Sequence, residues 1–452
     1  MRYDLRCLSV PLPEDVAKLK FFGDIDRLNR VIDLKLQKDI PQALKERLRL
    51  EKEIMALWPR AYPHDQEAAL KKLRDCFGDF SEEELNILRN DDAVEWAYIN
   101  GKIHYKNNFL GNLLKTRPQY ARRALDPAVL KEAQEKGDFL DGIMRKMKEH
   151  GELNARFHIR MEMTVQPPQG RERMPVTAQL PLPIEYAQVK NFQLLSLSHP
   201  DAVIAPSDYP QRTVCFRAVP DKPFFVEYTY ETHIRYASPD PGKVLEQQPT
   251  FYTEEYAPHI LFTPYLNMLC AEIIGNEKNP LLKARKIYDF ITTKMIYSFM
   301  RPYMTMPNVP EYGASSMKGD CGVQALLFIT LCRIAGVPAR WQSGQYVAPG
   351  DEGMHDWAQF YAAPFGWLFA DPSFGGSAYR NGNEERWNFY FGNLDPFRLP
   401  ANSEYQHEFY IPSRHLRYDP YDNQDGEAEW DDAPVPPQHR DTRLKVLSSE
   451  LF

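Results

Sequence analysis

The sequence predicts an α+β protein: a cysteine-bearing helix packed on an antiparallel sheet, preceded by a β-sandwich and a mostly helical N-terminal part. Three observations predict it. Apolar residues recur at helical spacing through most of the first 150 positions. Near residue 153 the pattern turns to short segments rich in β-branched and aromatic residues, parted by Pro, Gly and Asn/Asp clusters. From about residue 250 the two patterns mix, around the stretch "KGDCGVQALLF" at 318–328. The expected division is 1–150 mostly α-helical with one β-hairpin, 153–238 sandwich-like, 250–415 a mixed helix-and-sheet domain, and 416–452 an acidic, Pro-rich C-terminal extension.

Each element has a local reason. In the first part, "DVAKLKFFGDIDRLNRVIDLKLQK" carries helical spacing and Pro41 opens the next helix. Ser81 and Glu84 form a capping box ahead of "LNIL". "EWAYINGKIHY" alternates around Asn100-Gly101, a hairpin turn signal. The segments "ARFHIRMEMTVQ", "MPVTAQLPLP", "VKNFQLLSLS", "QRTVCFRAV" and "FFVEYTYETHIRYA" read as strands of an antiparallel sandwich. "SPDPGKVLEQQPT" links them to a helix, "NPLLKARKIYDFITTKMIYSF", and a Pro- and Met-rich loop. A second helix begins at or beside Cys321 and stops at Gly336, with Pro338 just beyond. The strands "ARWQSGQYV", "HDWAQFYAA" and "GWLFAD" follow. The tail after about 415 reads as a loosely ordered wrap.

Composition excludes several classes. The chain of 452 residues is too long for one ordinary core. Its 43% hydrophobic and 26% charged residues describe a globular protein rather than a disordered one. A net charge of -7 offers no basic footprint for nucleic acid. The six cysteines, at 7, 76, 215, 270, 321 and 332, form no CxxC pair, so neither a zinc knuckle nor a disulfide framework is suggested. No metal and no cofactor is expected. The N-terminal residues lack the apolar core of a signal peptide, and the longest apolar runs, such as "ALLFITLC", fall short of a membrane span. The expectation is a cytoplasmic protein with free thiols and no membrane contact.

The order Cys, His, Asp carries the chemistry. A thiol is a weak nucleophile until ionised. The first turn of a helix offers unpaired N–H groups and a partial positive charge, worth about 0.3–1 kcal/mol and up to ~2. At ~1.36 kcal/mol per pKa unit this lowers a thiol by about one unit, so full ionisation needs an imidazolium as well. His355 opens a strand and Asp371 closes the next one a short hairpin later, so antiparallel pairing sets them side by side. Asp371 is then placed to orient His355, and His355 to activate Cys321. Cys332, inside the same helix, is read as core, and Asp320 and Asp356 as loop or solvent-facing groups.

Here the chain resembles the transglutaminase-like superfamily. "GDCGVQALLFITLCRIAGVPARWQSG", "HDWAQFY" and "GWLFADPSFG" match its Cys-headed helix, its H-x-W-x-x-x-Y strand and its G-W-x-x-x-D-P strand. The likeness spans roughly residues 250 to 380. It implies a papain-like core and a Cys321–His355–Asp371 triad working by acyl transfer through a thioester. It also implies an oxyanion site made by the Cys321 backbone N–H with an upstream aromatic group, for which Tyr297 is the candidate. Trp357 is a second candidate, as a wall of the substrate site.

Other signals are weaker. "SSMK" at 315–318 fits a Ser-x-x-Lys pattern without its companion motifs. "YDNQDGEAEWDD" places Tyr421 where a calcium loop needs its first ligand, which excludes an EF-hand. The expected function is a cysteine peptidase or amidase acting on peptide or protein substrates. Its rivals are a protein-glutamine transamidase with the same triad, and a catalytically weak binding or scaffold protein.

Overall fold

A computed structural model describes residues 4–126 and 128–452, with the side chains of 128–134 left out of the description. The N-terminal part is helical, and the expected Ser81 cap is formed. Ser81 accepts from the Glu84 N–H at 3.0 Å. Strands Trp96–Ile99 and Lys102–Tyr105 meet in a turn whose central residues, Asn100 and Gly101, both have positive φ, 49° and 72°. That is the twist a two-residue hairpin needs, and Asn-Gly supplies it at low cost.

Two four-stranded antiparallel sheets follow. The expected strands are present at Glu152–Val165, Val176–Pro181, Val189–Leu197, Thr213–Ala218 and Phe224–Arg235. Each sheet is completed by the C-terminal segment. Glu427–Glu429 pairs with 177–179, and Arg440–Leu451 pairs with 155–165. The reading of 416–452 as a loose wrap is thus corrected. Charged residues alternate with Leu444, Val446 and Leu451 in the last strand, and backbone pairing orders a segment whose composition alone looks disordered.

The third part is a five-stranded antiparallel sheet with helices on it. Helix α1, Cys321–Ile334, is almost wholly buried. The strands are β1 (Ala339–Ala348), β2 (Asp351–Ala362), β3 (Gly366–Ala370), β4 (Phe391–Gly392) and β5 (Arg398–Asn402), in the order β4-β3-β2-β1-β5. Helix α2, Pro372–Arg380, starts directly after β3. Phe328 of α1 meets Phe360 of β2 edge-on at 5.9 Å, which fixes the helix on that sheet face.

A buried charge cluster joins the helical part to the loop that leads into α1. Glu95 receives Lys318 Nζ at 2.9 Å, Arg301 Nη1 at 3.2 Å and the Tyr62 hydroxyl at 3.1 Å. Burial opposes ionisation of Glu95, but Lys318 and Arg301 outweigh it and hold the carboxyl below its ordinary value. Removing one partner of such a pair strands the other. Lys318→Met is expected to lower stability by about 3 kcal/mol, the low end for a broken buried pair because Arg301 remains. Urea denaturation checks this against Lys18→Met, whose exposed pair with Glu14 contributes less than about 1 kcal/mol.

Candidate active site

Cys321 is the first residue of α1, as expected, and it faces a cavity of about 400 Å³. Asp320 caps the helix, accepting from the Val323 N–H at 3.2 Å and from the Tyr303 hydroxyl at 2.6 Å. Gly322 allows this crowding: a Cβ there would lie 2.0 Å from the Tyr303 hydroxyl and 2.6 Å from Asp356 Oδ2. One wall is 300–304 with Tyr297, and the other is Tyr418–Glu427 of the C-terminal segment.

His355 and Asp371 are brought together as expected. His355 Nε2 lies 2.7 Å from Asp371 Oδ2. The other Asp371 oxygen caps α2, taking the Phe374 N–H and the Ser373 hydroxyl, each at 3.0 Å. Arg398 Nη2 sits 3.2 Å from Oδ2 and 2.6 Å from Asp395. Burial opposes the Asp371 charge, but His355 and Arg398 outweigh it, so the carboxyl stays below its usual range. Burial pushes the His355 imidazole down, and Asp371 only partly restores it. The pair at neutral pH is therefore a neutral imidazole beside a carboxylate.

The Cys321 thiol has a different hydrogen-bond partner from the His355 ring. Among the described residues the Cys321 thiol donates to Asp356 Oδ2 at 3.3 Å, and no hydrogen bond joins it to His355. Adjacent residues leave β2 on opposite faces. Asp356 shares a face with Phe360, the face that α1 covers. His355 shares the other with Trp357, stacked at 5.9 Å, and with Phe374 at 4.7 Å.

Three more expectations are corrected. Asp356 and Asp320 are not solvent-facing loop groups; Asp356 is buried, with its second oxygen taking the Gln424 amide, and Asp320 is the helix cap. Trp357 is not a substrate wall: it is fully buried, and its indole N–H donates to Gln342 Oε1 at 2.7 Å. The thiol is not activated at rest. Burial, then the carboxylates of Asp356 and Asp320, push it well above its ordinary value, although the Asp356 backbone N–H pulls the other way. A negative cap on the helix start cancels the field that was expected to favour a thiolate.

Tyr297 does reach the site. It lines the cavity with Cys321, and burial, then Cys321, Asp320 and Asp356, raise its hydroxyl far above its usual value, which keeps it a donor. Sequence reasoning missed Tyr303, Gly322 and Arg398, and it missed the C-terminal wall. The glycine after Cys321 in "GDCG" was the available signal for a crowded helix start.

Residues 267–372 match the family model of the transglutaminase-like superfamily. That span holds Cys321, His355 and Asp371, and it supports a cysteine-dependent enzyme in general terms. Solved structures give distant likenesses. A candidate cysteine protease of Cytophaga hutchinsonii is 14% identical, with 67% of this chain and 90% of that one covered, at a TM-score of 0.38. The periplasmic domain of TgpA from Pseudomonas aeruginosa is 15% identical, with 53% and 93% covered, at a TM-score of 0.28. No curated protein matches the chain. Among the described residues no helix is long and apolar enough to cross a membrane.

The raised thiol predicts slow alkylation. Iodoacetamide labelling of native Cys321, followed by peptide mapping, is expected to be slow at pH 7 and to rise only above pH 9. Asp356→Asn removes a negative neighbour, so its labelling curve is expected to shift to lower pH; an unchanged curve would contradict the electrostatic assignment.

Proposed function

We propose that the protein is a cysteine amidase or peptidase working through a thioester on Cys321. The observation that carries the reading is Cys321 at the head of α1, open to a cavity that also presents the Tyr297 hydroxyl. Cys321 Sγ attacks the carbonyl carbon of an amide, and its proton passes to a base. The Cys321 N–H and the Tyr297 hydroxyl receive the negative oxygen. The C–N bond breaks and the proton leaves with the amine. Water then cleaves the thioester, yielding a carboxylic acid and restoring the thiol.

The base in this reading is His355, oriented by Asp371. The 2.7 Å His355–Asp371 pair and the family motif support it. The 3.3 Å thiol–carboxylate contact then acts as a restraint that substrate binding must break. That same contact favours a second reading, in which Asp356 itself takes the proton. Burial, Asp422 and Asp320 push Asp356 far above its ordinary value, which makes it a stronger base than a surface carboxylate.

A panel of amide and peptide substrates, with and without an added amine, tests the function. Hydrolysis that is absent in Cys321→Ala is expected. An amide product formed only with the amine would make the protein a transamidase, and silence across the panel would favour the scaffold reading. On a substrate so found, Asp356→Asn with near-normal or raised kcat and His355→Ala with a loss of about 10²–10⁴-fold supports His355 as the base; the reverse order supports Asp356. With His355 as base, the acid limb of kcat/KM is expected below 6.5, because activity falls only as the lowered imidazole protonates. Tyr297→Phe is expected to lower kcat by about 10²–10³-fold, as for one lost oxyanion donor.

A further inference from the structure

The cavity in front of Cys321 is markedly acidic. Six carboxylates line it: Asp320, Asp356, Asp419, Asp422, Asp425 and Glu427. Three are already engaged: Asp320 by the helix start and Tyr303, Asp356 by the Cys321 thiol and the Gln424 amide, and Glu427 by Arg440 at 3.3 Å. The three basic residues on the lining do not cover the rest. Arg301 pairs with Glu95, Arg440 with Glu427, and Lys106 donates to Asn108 at 2.6 Å.

One atom points to a missing donor. Asp422 is only 6% exposed, it lines the cavity, and its Oδ2 has no hydrogen-bond partner. A buried carboxylate oxygen left in this state is costly unless a donor arrives. Asp419 and Asp425 lie on the same wall with their side chains open to the cavity. Burial and the neighbouring Asp422 raise Asp419 to about 8 against the pull of Arg417, and burial raises Asp425 to about 6 against the pull of Arg440.

The rest of the lining suits a long cationic side chain. Tyr418, Phe299, Met300 and Met354 supply apolar and aromatic surface for a methylene stem. Nearby unpaired groups, the Asn423 amide N–H and the Tyr421 hydroxyl, are donors for a peptide carbonyl. Among the described residues no group of three or more His, Cys, Asp or Glu is arranged to hold a metal ion.

We infer that this cavity binds the basic side chain, lysine or arginine, of a peptide substrate, with the Asp419–Asp422 wall as counter-charge, and so selects amide bonds beside a basic residue. The inference rests on the reading of Cys321 as the attacking group. Asp422 meets the ammonium or guanidinium, and Asp419 adds charge at the mouth.

The test separates binding from chemistry by using the full chain with Cys321→Ala. Calorimetric titration compares capped alanine tetrapeptides carrying Lys, Arg, norleucine or Glu, scanned through each position, with n-butylamine as a free-amine arm. The Lys or Arg peptide is expected to bind at least ~10-fold tighter than norleucine or Glu. Its affinity is expected to fall with added salt while that of the norleucine peptide does not. Adding Asp419→Asn and Asp422→Asn is expected to bring Lys and norleucine within about 3-fold of each other, with thermal melts confirming the fold. Equal binding of Lys and norleucine peptides, or a salt-independent preference, overturns the inference. So does binding of butylamine as tightly as the best peptide, which would assign the cavity to a free amine. Failure here leaves the thioester reading intact, and failure of that reading shows instead as a substrate panel silent in the wild-type protein.

Discussion

The site depends on one buried carboxylate. Glu95, from the helical part, holds Lys318 and Arg301, which flank the loop that becomes α1. Between Arg301 and Lys318 the chain forms a turn at Tyr303–Thr305 and a helix at Val309–Ser316, and the clamp holds both ends of this stretch. Asn112 adds a second tie, accepting the Phe299 N–H at 2.9 Å. Lys115 places its ammonium 4.5 Å over the Tyr297 ring. The helical region therefore serves the chemistry by position: it braces the strand and loop that carry Tyr297, Tyr303 and Asp320.

Two opposed electrostatic environments then lie one residue apart on β2. His355 shares its face with Asp371 and Arg398, a compact set in which the carboxylate meets both the imidazole and the guanidinium. Asp356 shares its face with the thiol and with a wall of further carboxylates. The first is a stable charge arrangement, and the second is short of positive charge. A protein fold tolerates such a deficit at sites where a ligand completes it. The quiet thiol and the acidic cavity adjoin: Asp356 and Asp320 hold the proton on Cys321, and Asp419 and Asp422 are the counter-charge proposed for a cation from outside.

The legible parts of the sequence were those governed by local rules. Asn100-Gly101 demanded a turn, Gly336 and Pro338 ended a helix, and alternation gave the strands on which His355 and Asp371 meet. The C-terminal strands were hidden because their order comes from pairing with 155–165 and 177–179, far away in the chain, and not from their own composition. The activation of Cys321 was misjudged because a helix start was counted as positive without the charge of its own cap, Asp320. Trp357 was misjudged because an aromatic residue two positions from His355 shares its buried face, not the cavity.

The central claim, a thioester on Cys321, is tested most directly by trapping it. The protein is mixed with a turned-over amide substrate, quenched in acid within the first turnover, digested and mapped by mass spectrometry. The account predicts the acyl mass on the peptide containing Cys321, lost on treatment with neutral hydroxylamine. Acyl mass on another residue, or turnover that persists in Cys321→Ala, would contradict it.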